Sequence, residues 1–593
     1  MNGSCKHKLA TVPILIVMAL LLASCSEVRQ PKVSRFFSET PPPARQELRW
    51  SNGGLPRTLD PAMVSSPPET DVVRAIFEGL TELHPATLEE RPAVAESWGA
   101  SDDLIVWRFT LRKDARWSNG ERVRAEDFVR SWRRALTVRE ASVHRSLLFN
   151  IRGAVQLAAA NEEREAETMA IRVPAMVLRA AEEEPMKAPE RETVAPTVAF
   201  GAVAEDEQTL VVRLVTPDRD FAKLVAHPVF RPVYSDDTDL TAEKVSDDLV
   251  SNGPFTLASF DKDGVALRRS ENYWNNEAVK LETVRFVPAE NSDAALEAYR
   301  TGAVDAVTNA DFSPLALKLL EPYDDFRRTT FAAINVYEFN IERPAFRDRR
   351  VREALAIAIE RERLTDGELE GATQPAYSFL PFSQSPKGTL VQDTEKAREL
   401  LETAGYPDGS GFPTVKLTVN RNDTQIRIAK SVAEMWRRNL NIETEVIVRE
   451  SSEMETARNA RDFDLIRRGV VLPTNAEAAN LKRILGDVYR SHPPSPGPQV
   501  PSAGVDVNGS APGATVTSPD PEPGSRESLA AATIANEDDA LFQLTAIPLY
   551  FPTSYSLVRP FVIGFEANSL DATLLHEVFI DTEWTMPPLT SEE

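Results

Sequence analysis

The chain has 593 residues, of which 42% are hydrophobic, enough for two or more packed lobes rather than one core. Lys+Arg number 67 against Asp+Glu 90, a net charge of -23, which argues against phosphate backbones as partners because neutralising phosphates needs a basic surface. The two cysteines, Cys5 and Cys25, both sit at the start, so the fold beyond them rests on packing without disulfides.

In chain order, Lys6 and Lys8 precede an apolar run, ATVPILIVMALLLA, too short to span a bilayer comfortably. Leu22, Ala23 and Ser24 then lead to Cys25. A charged region, an apolar region and a small-residue cleavage site read as a secretory signal over residues 1–25. The last four residues resemble the bacterial lipobox. That resemblance implies cleavage before Cys25 and acylation of its thiol by chains such as palmitate; an ordinary signal with an incidental cysteine is the alternative. No second transmembrane stretch follows. The expectation is an extracytoplasmic protein, lipid-anchored to a bacterial membrane in the periplasm or at the cell surface, with residues 26–46 as a flexible tether and order beginning near Glu47.

Residues 104–111 (LIVWRFTL) alternate, with Ile105, Trp107, Phe109 and Leu111 on one face, and predict a half-buried strand. Ser118-Asn119-Gly120 is a turn. A helix follows from Ala125, with Phe128, Trp132, Ala135 and Leu136 inward and its arginines mostly outward, which reads as scaffold. Arg124 stands at the N-cap, a position arginine cannot serve with a side-chain acceptor. Helices are predicted through Val351–Ile359, Ala397–Ala404 and Ile428–Trp436, with strands at 415–419 and 444–448. A strand, a helix and a second strand joined by a long crossover predict a parallel pair. Residues 160–195 carry acidic clusters, and residues 492–526 are Pro/Gly/Ser-rich, a composition that cannot offset chain entropy by burial.

The six histidines, His7, His84, His144, His227, His492 and His576, show no metal-ligand spacing, and HExxH is absent. GxSxG, the Walker A loop and GxGxxG are absent too. Nothing asks for a metal or cofactor, and nothing positive supports an enzyme.

Several stretches together resemble the extracytoplasmic peptide-binding proteins of ABC importers. They are LPRTLDPA (55–62), IFEGLTEL with RPAVAESW (76–98), WRFTLRKDARWSNGERVRAEDFVRSWRRAL (107–136), SNGPFTL (251–257), SENYWN (270–275), EFNIERPAFRDRRVREALAIAIERERL (338–364) and AIPLYF (546–551). The resemblance covers roughly residues 47–470 and 540–585. It implies an α/β, two-lobed periplasmic-binding-protein-like fold of type II, with an extra domain inserted in the first lobe. The expected parts are a first lobe at 47–270 and 540–593, an inserted small α/β domain at about 82–205, a second lobe at 271–491 and a disordered insertion at 492–530. The lobes would close by a hinge over a peptide held largely through its backbone, then dock on a membrane permease. The chain would act as a monomer.

The family's cleft-lining segment is similar to ARNARDFDLIRRGVVLPTNAEA (457–478), which places Arg458 and Arg467 at its two arginine positions, with Gly469 beside them. The resemblance implies that these guanidiniums meet peptide carboxylates; a surface salt bridge is the alternative for each. Tyr337 and Asn340, in the strand INVYEFN, and Asn309, after VDAVT, are further candidate contacts. The family's Trp falls at Val470 and its ammonium-pairing Asp at Pro473, and His144 stands near a common aromatic position. Without a counter-ion at 473, a buried ammonium is costly there. Two readings follow: an importer subunit for a ligand lacking a free α-amine, such as a blocked or cyclic peptide, or a lipoprotein with an eroded cleft and a sensory, chaperone or interaction role.

Overall fold

The computed structural model describes residues 35–138, 143–161, 199–236, 239–382, 390–490 and 536–587. The signal segment with Cys5 and Cys25, nearly all of the acidic 160–195 stretch and the whole 492–530 segment lie outside the described residues. Order begins earlier than expected. Of the span read as a tether, residues 35–46 are docked: Phe36 packs edge-on against Trp584 at 5.9 Å, the Phe37 N–H donates to Asp325 at 2.9 Å, and the Ser38 hydroxyl donates to the Arg300 carbonyl.

The first lobe starts with β1 (Glu47–Ser51), whose Leu48 and Trp50 point into the core, and α1 (Glu69–Ile76). The inserted unit follows: β2 (Ala95–Ala100), β3 (Val106–Leu111), α2 (Ala125–Thr137), β4 (Ala202–Ala204) and β5 (Thr209–Arg213), in an antiparallel sheet of order β2-β3-β5-β4. The alternation read from the sequence is present: Trp107, Phe109 and Leu111 are buried and Arg108 is exposed. Phe128, Trp132, Ala135 and Leu136 of α2 share a continuous core with the rest of the lobe. Two arginines of this helix do not point outward. Arg134 grips Asp60 through both terminal nitrogens, and Arg130 donates to the Val233 and Tyr234 carbonyls. The helix start is secured without a side-chain acceptor at 124, because Asp127 accepts the Arg124 N–H at 2.9 Å.

The chain returns through β6 (Phe255–Asp261), β7 (Gly264–Arg269), β8 (Thr283–Phe286) and β9 (Ala306–Val307), with β1 parallel to both β8 and β9. The lobe boundary therefore does not fall at 271: residues 271–330 complete the first lobe, because β1 needs β8 and β9 as hydrogen-bonding neighbours. Three sequence motifs meet here for a physical reason. Glu78 accepts Tyr273 Oη at 2.5 Å and Trp274 Nε1 at 2.7 Å, Asn252 donates to the Glu78 carbonyl, and Gly253 lies so close to Ile76 that a Cβ would sit 2.5 Å from its carbonyl carbon. Burial pushes the Glu78 carboxyl up to about 7.

β10 (Phe326–Thr330) and β11 (Ala333–Phe339) carry the chain into the second lobe. There α3 (Arg349–Ile357), β12 (Val415–Asn420), α4 (Asp423–Leu440), β13 (Thr444–Arg449), α5 (Ser451–Asn459), β14 (Leu465–Val471) and α6 (Glu477–Arg490) build an α/β unit, with β12 parallel to β13 as the crossover implied. Asp348 caps α3 by accepting the Arg350 N–H at 2.9 Å. β15 (Ala546–Val558) joins the lobes: its first half pairs with β11, its second with β10 and β9. The segment after residue 540 thus serves both lobes rather than the first alone. The joined sheet runs β13-β12-β14-β11-β15-β9-β1-β8-β7-β6.

Candidate functional site

The cleft side of an open α/β sheet lies at the carboxyl ends of its parallel strands. In the second lobe those are the ends of β12 and β14. β14 pairs antiparallel with β11, placing Arg467 opposite Tyr337 and Gly469 opposite Asn335. The four residues share one face of the sheet, since directly opposed residues point the same way. Arg467 donates one terminal nitrogen to Asn335 Oδ1 and the other to Asn420 Oδ1 at 3.4 Å. Gly469 leaves space for this: a Cβ there would sit 2.9 Å from the guanidinium.

Tyr550 of β15 closes the group, opposite Asn335, with its hydroxyl accepting Gln425 Nε2 at 2.9 Å. Burial raises the hydroxyl pKa of both Tyr337 and Tyr550, with Arg467 acting against it, so both are neutral donors. Arg467 Nε and the Tyr337 hydroxyl are buried and have no hydrogen-bond partner among the described residues. Buried polar atoms of this kind are costly to leave unmade, and both are donors.

The other arginine lies elsewhere. Arg458, on α5, donates to Glu338 Oε2 at 3.1 Å, and Arg468 donates to the same oxygen at 2.9 Å. Glu338 and Arg468 alternate with Tyr337 and Arg467 along their strands, so this ion-pair cluster occupies the opposite face of the sheet. The structure does not bring Arg458 and Arg467 together. Asn340 is also committed internally: its amide donates to the Arg461 and Phe463 carbonyls at 3.1 and 3.0 Å, and its oxygen accepts the Glu342 N–H.

Asn309 belongs to the first lobe, just after β9. It adopts φ 52° and donates to the Asn52 carbonyl at 3.2 Å. It borders a cavity of about 270 Å³ with Phe312, Phe331, Tyr555 and Asp571. Pro473 and Thr474 dock on the first lobe beside Arg74, Glu82, Lys223 and His227. Asn475 donates to the Leu88 carbonyl, and the Glu477 N–H donates to Asp220 at 3.1 Å. Pro473 therefore lies among Arg74, Glu82 and Lys223, and Lys223 is paired with Asp220. His144 packs edge-on against His227 at 4.8 Å, and burial lowers the pKa of both, His144 to about 4.

Sequence reasoning missed Asn335, Asn420, Gln425 and Tyr550. Asn335 carried a signal, because it stands two residues from Tyr337 in a strand. The others reach the cluster only through tertiary pairing.

The model of bacterial extracellular solute-binding proteins, family 5 middle, matches residues 89–488. The periplasmic oligopeptide-binding protein OppA of Escherichia coli is 27% identical over 555 residues, 90% of this chain and 93% of that protein. The periplasmic murein peptide-binding protein MppA of Escherichia coli is 28% identical, covering 82% of this chain and 87% of its own. Among solved structures, an unliganded open form of a periplasmic murein tripeptide-binding protein, MppA, matches with TM-score 0.67 at 24% identity, covering 92% of this chain and 99% of the other. That likeness establishes a shared two-lobed fold.

Proposed function

The chain belongs to the bacterial extracellular solute-binding proteins of family 5, and from this premise we propose that it captures a peptide or peptide-like solute between its two lobes and delivers it to the permease of an ABC importer. Relatives named for oligopeptide and murein-peptide binding support that ligand class. The observation that carries the reading is a pair of buried donors without a partner among the described residues, Arg467 Nε and the Tyr337 hydroxyl, beside Asn420 at the carboxyl end of β12. A guanidinium has five N–H donors, of which Asn335 and Asn420 take two; the remaining donors suit a carboxylate, and a neutral tyrosine adds another.

In this reading Arg467, Tyr337 and Gly469 line the second lobe's side of the site and Asn309 the first lobe's. Arg458 and Asn340 hold the scaffold behind it. Pro473 presents no carboxylate to a ligand ammonium. Closure is the functional motion: ligand contacts to both lobes favour the closed state, and the cycle has no chemical step. Acylation of Cys25 would keep the protein at the membrane, near its permease, as a monomer.

The test is a thermal-shift series against peptide pools, N-blocked peptides included. A ligand that binds only the folded protein must raise its melting temperature. The expected result is a shift that Arg467→Ala abolishes. No shift from any pool would count against peptide transport and favour a surface lipoprotein with an eroded cleft.

A further inference from the structure

Two cavities adjoin in the first lobe, at the carboxyl ends of β1 and β9. The inner one, about 20 Å³, is lined by Trp50, Asp71, Thr308 and Asp571, and it shares Asn309, Ser554 and Asp571 with the 270 Å³ outer cavity. The inner chamber has room for one water-sized group.

The charges around it do not balance. Asp71 is buried; its Oδ2 accepts Asn52 Nδ2 at 3.0 Å, but its Oδ1 has no hydrogen bond, with Arg74 Nη1 standing 3.8 Å away. Asp571 accepts the Ser554 hydroxyl at 2.9 Å. Arg231, the next buried cation, is taken by Glu82 at 2.6 Å, and Glu69 pairs with Arg57. Glu566 also borders the chamber but is exposed, so among the buried groups two carboxylates share one cation, Arg74. Unpaired buried charge is costly, so one of the two keeps a proton when no other cation is present. Burial is the main cause that pushes Asp571 up to about 7 and Asp71 to about 6; the Asp71 charge raises Asp571 further, and Glu69 raises Asp71.

We propose that the chamber between Asp71 and Asp571 is a subsite for a ligand ammonium, with the adjoining residue of that ligand in the outer cavity beside Phe312, Phe331 and Tyr555. The inference rests on the peptide-binding reading above and adds to it where the cationic end of the ligand goes. An ammonium fits a chamber of one-water size; a planar guanidinium does not. The position also accounts for Pro473: the carboxylate absent from the second lobe has a counterpart, built from different residues, in the first. An N-terminal ammonium and a lysine side chain offer the same chemistry.

The test is calorimetric titration of the full chain at pH 6.5, in two buffers of different ionisation enthalpy. The probes are trialanine, N-acetyl-Ala-Ala-Lys and N-acetyl-trialanine. At least one ammonium-bearing probe is expected to bind about tenfold or more tightly than N-acetyl-trialanine, the scale of one added charge-assisted contact. Its binding should release protons to the buffer as the carboxyl ionises. Asp571→Asn should erase both the preference and the proton release. Trialanine favoured over N-acetyl-Ala-Ala-Lys assigns the N-terminus; the reverse assigns a side chain. Proton release by the unmodified protein decides the matter if Asp571→Asn does not fold, and Asp71→Asn is the second variant. Equal affinities for all three probes without proton release would overturn the subsite and leave the peptide-binding reading standing. No binding by any probe would overturn both.

Discussion

Replacing Glu338 by Gln separates the two arginines that the sequence alone treats as equivalent. The Glu338 side chain is 11% exposed and accepts Arg458 at 3.1 Å and Arg468 at 2.9 Å. The arginine side chains are 15% and 16% exposed, so water cannot replace the carboxylate in full. Breaking a buried ion pair costs roughly 3–5 kcal/mol. Arg468 keeps its bonds to the Ile484 and Arg483 carbonyls, which places the cost near the lower end, about 3 kcal/mol. In a unit the size of the second lobe, each kcal/mol lowers the melting temperature by about 2–4 °C, so about 6–12 °C is expected. Scanning calorimetry with and without a bound peptide reads both quantities: the variant should melt early yet bind with unchanged affinity. A shift under about 2 °C, together with loss of binding in Arg458→Ala, would refute the assignment of Arg458 to the scaffold.

Other changes follow from the same geometry. Gly253→Ala forces a Cβ to within 2.5 Å of the Ile76 backbone and should cost about 1–3 kcal/mol or more in thermal or urea unfolding. Gly469→Ala presses on the flexible end of Arg467, so the fold should survive while peptide affinity falls, as titration would show. The folded protein holds the Asp571 proton up to about pH 7, whereas an ordinary aspartate releases it near 3.8. The folded state thus binds more protons across that window, and this group's contribution to stability falls as pH rises through it. Asp571→Asn should lessen that fall in melting temperatures measured from pH 4 to 7; identical slopes for both proteins would place the carboxyl in water.

Much of the scaffold was legible because its signals are local. The Trp107/Phe109/Leu111 alternation and the Phe128/Trp132 spacing record which side faces the core, and both elements form where the pattern places them. Arg130 and Arg134 read as solvent-facing because their partners, Val233, Tyr234 and Asp60, are far away in sequence. The lobe boundary was misplaced for the same reason: β1 is completed by strands more than two hundred residues later, and β15 is shared between lobes. At the site, the family resemblance suggested Arg467, Gly469 and Tyr337, which the fold sets on one face of the sheet, but it could not show that strand alternation puts Arg458's partner on the opposite face. Asp71 and Asp571 come together only through the fold.

The most direct measurement is the affinity of trialanine and of its C-terminal amide for the unmodified protein, Arg467→Ala and Arg458→Ala. If Arg467 receives the ligand carboxylate, the unmodified protein and Arg458→Ala prefer the free acid by about tenfold or more, and Arg467→Ala loses that preference. A preference that survives in Arg467→Ala and disappears in Arg458→Ala would contradict the account.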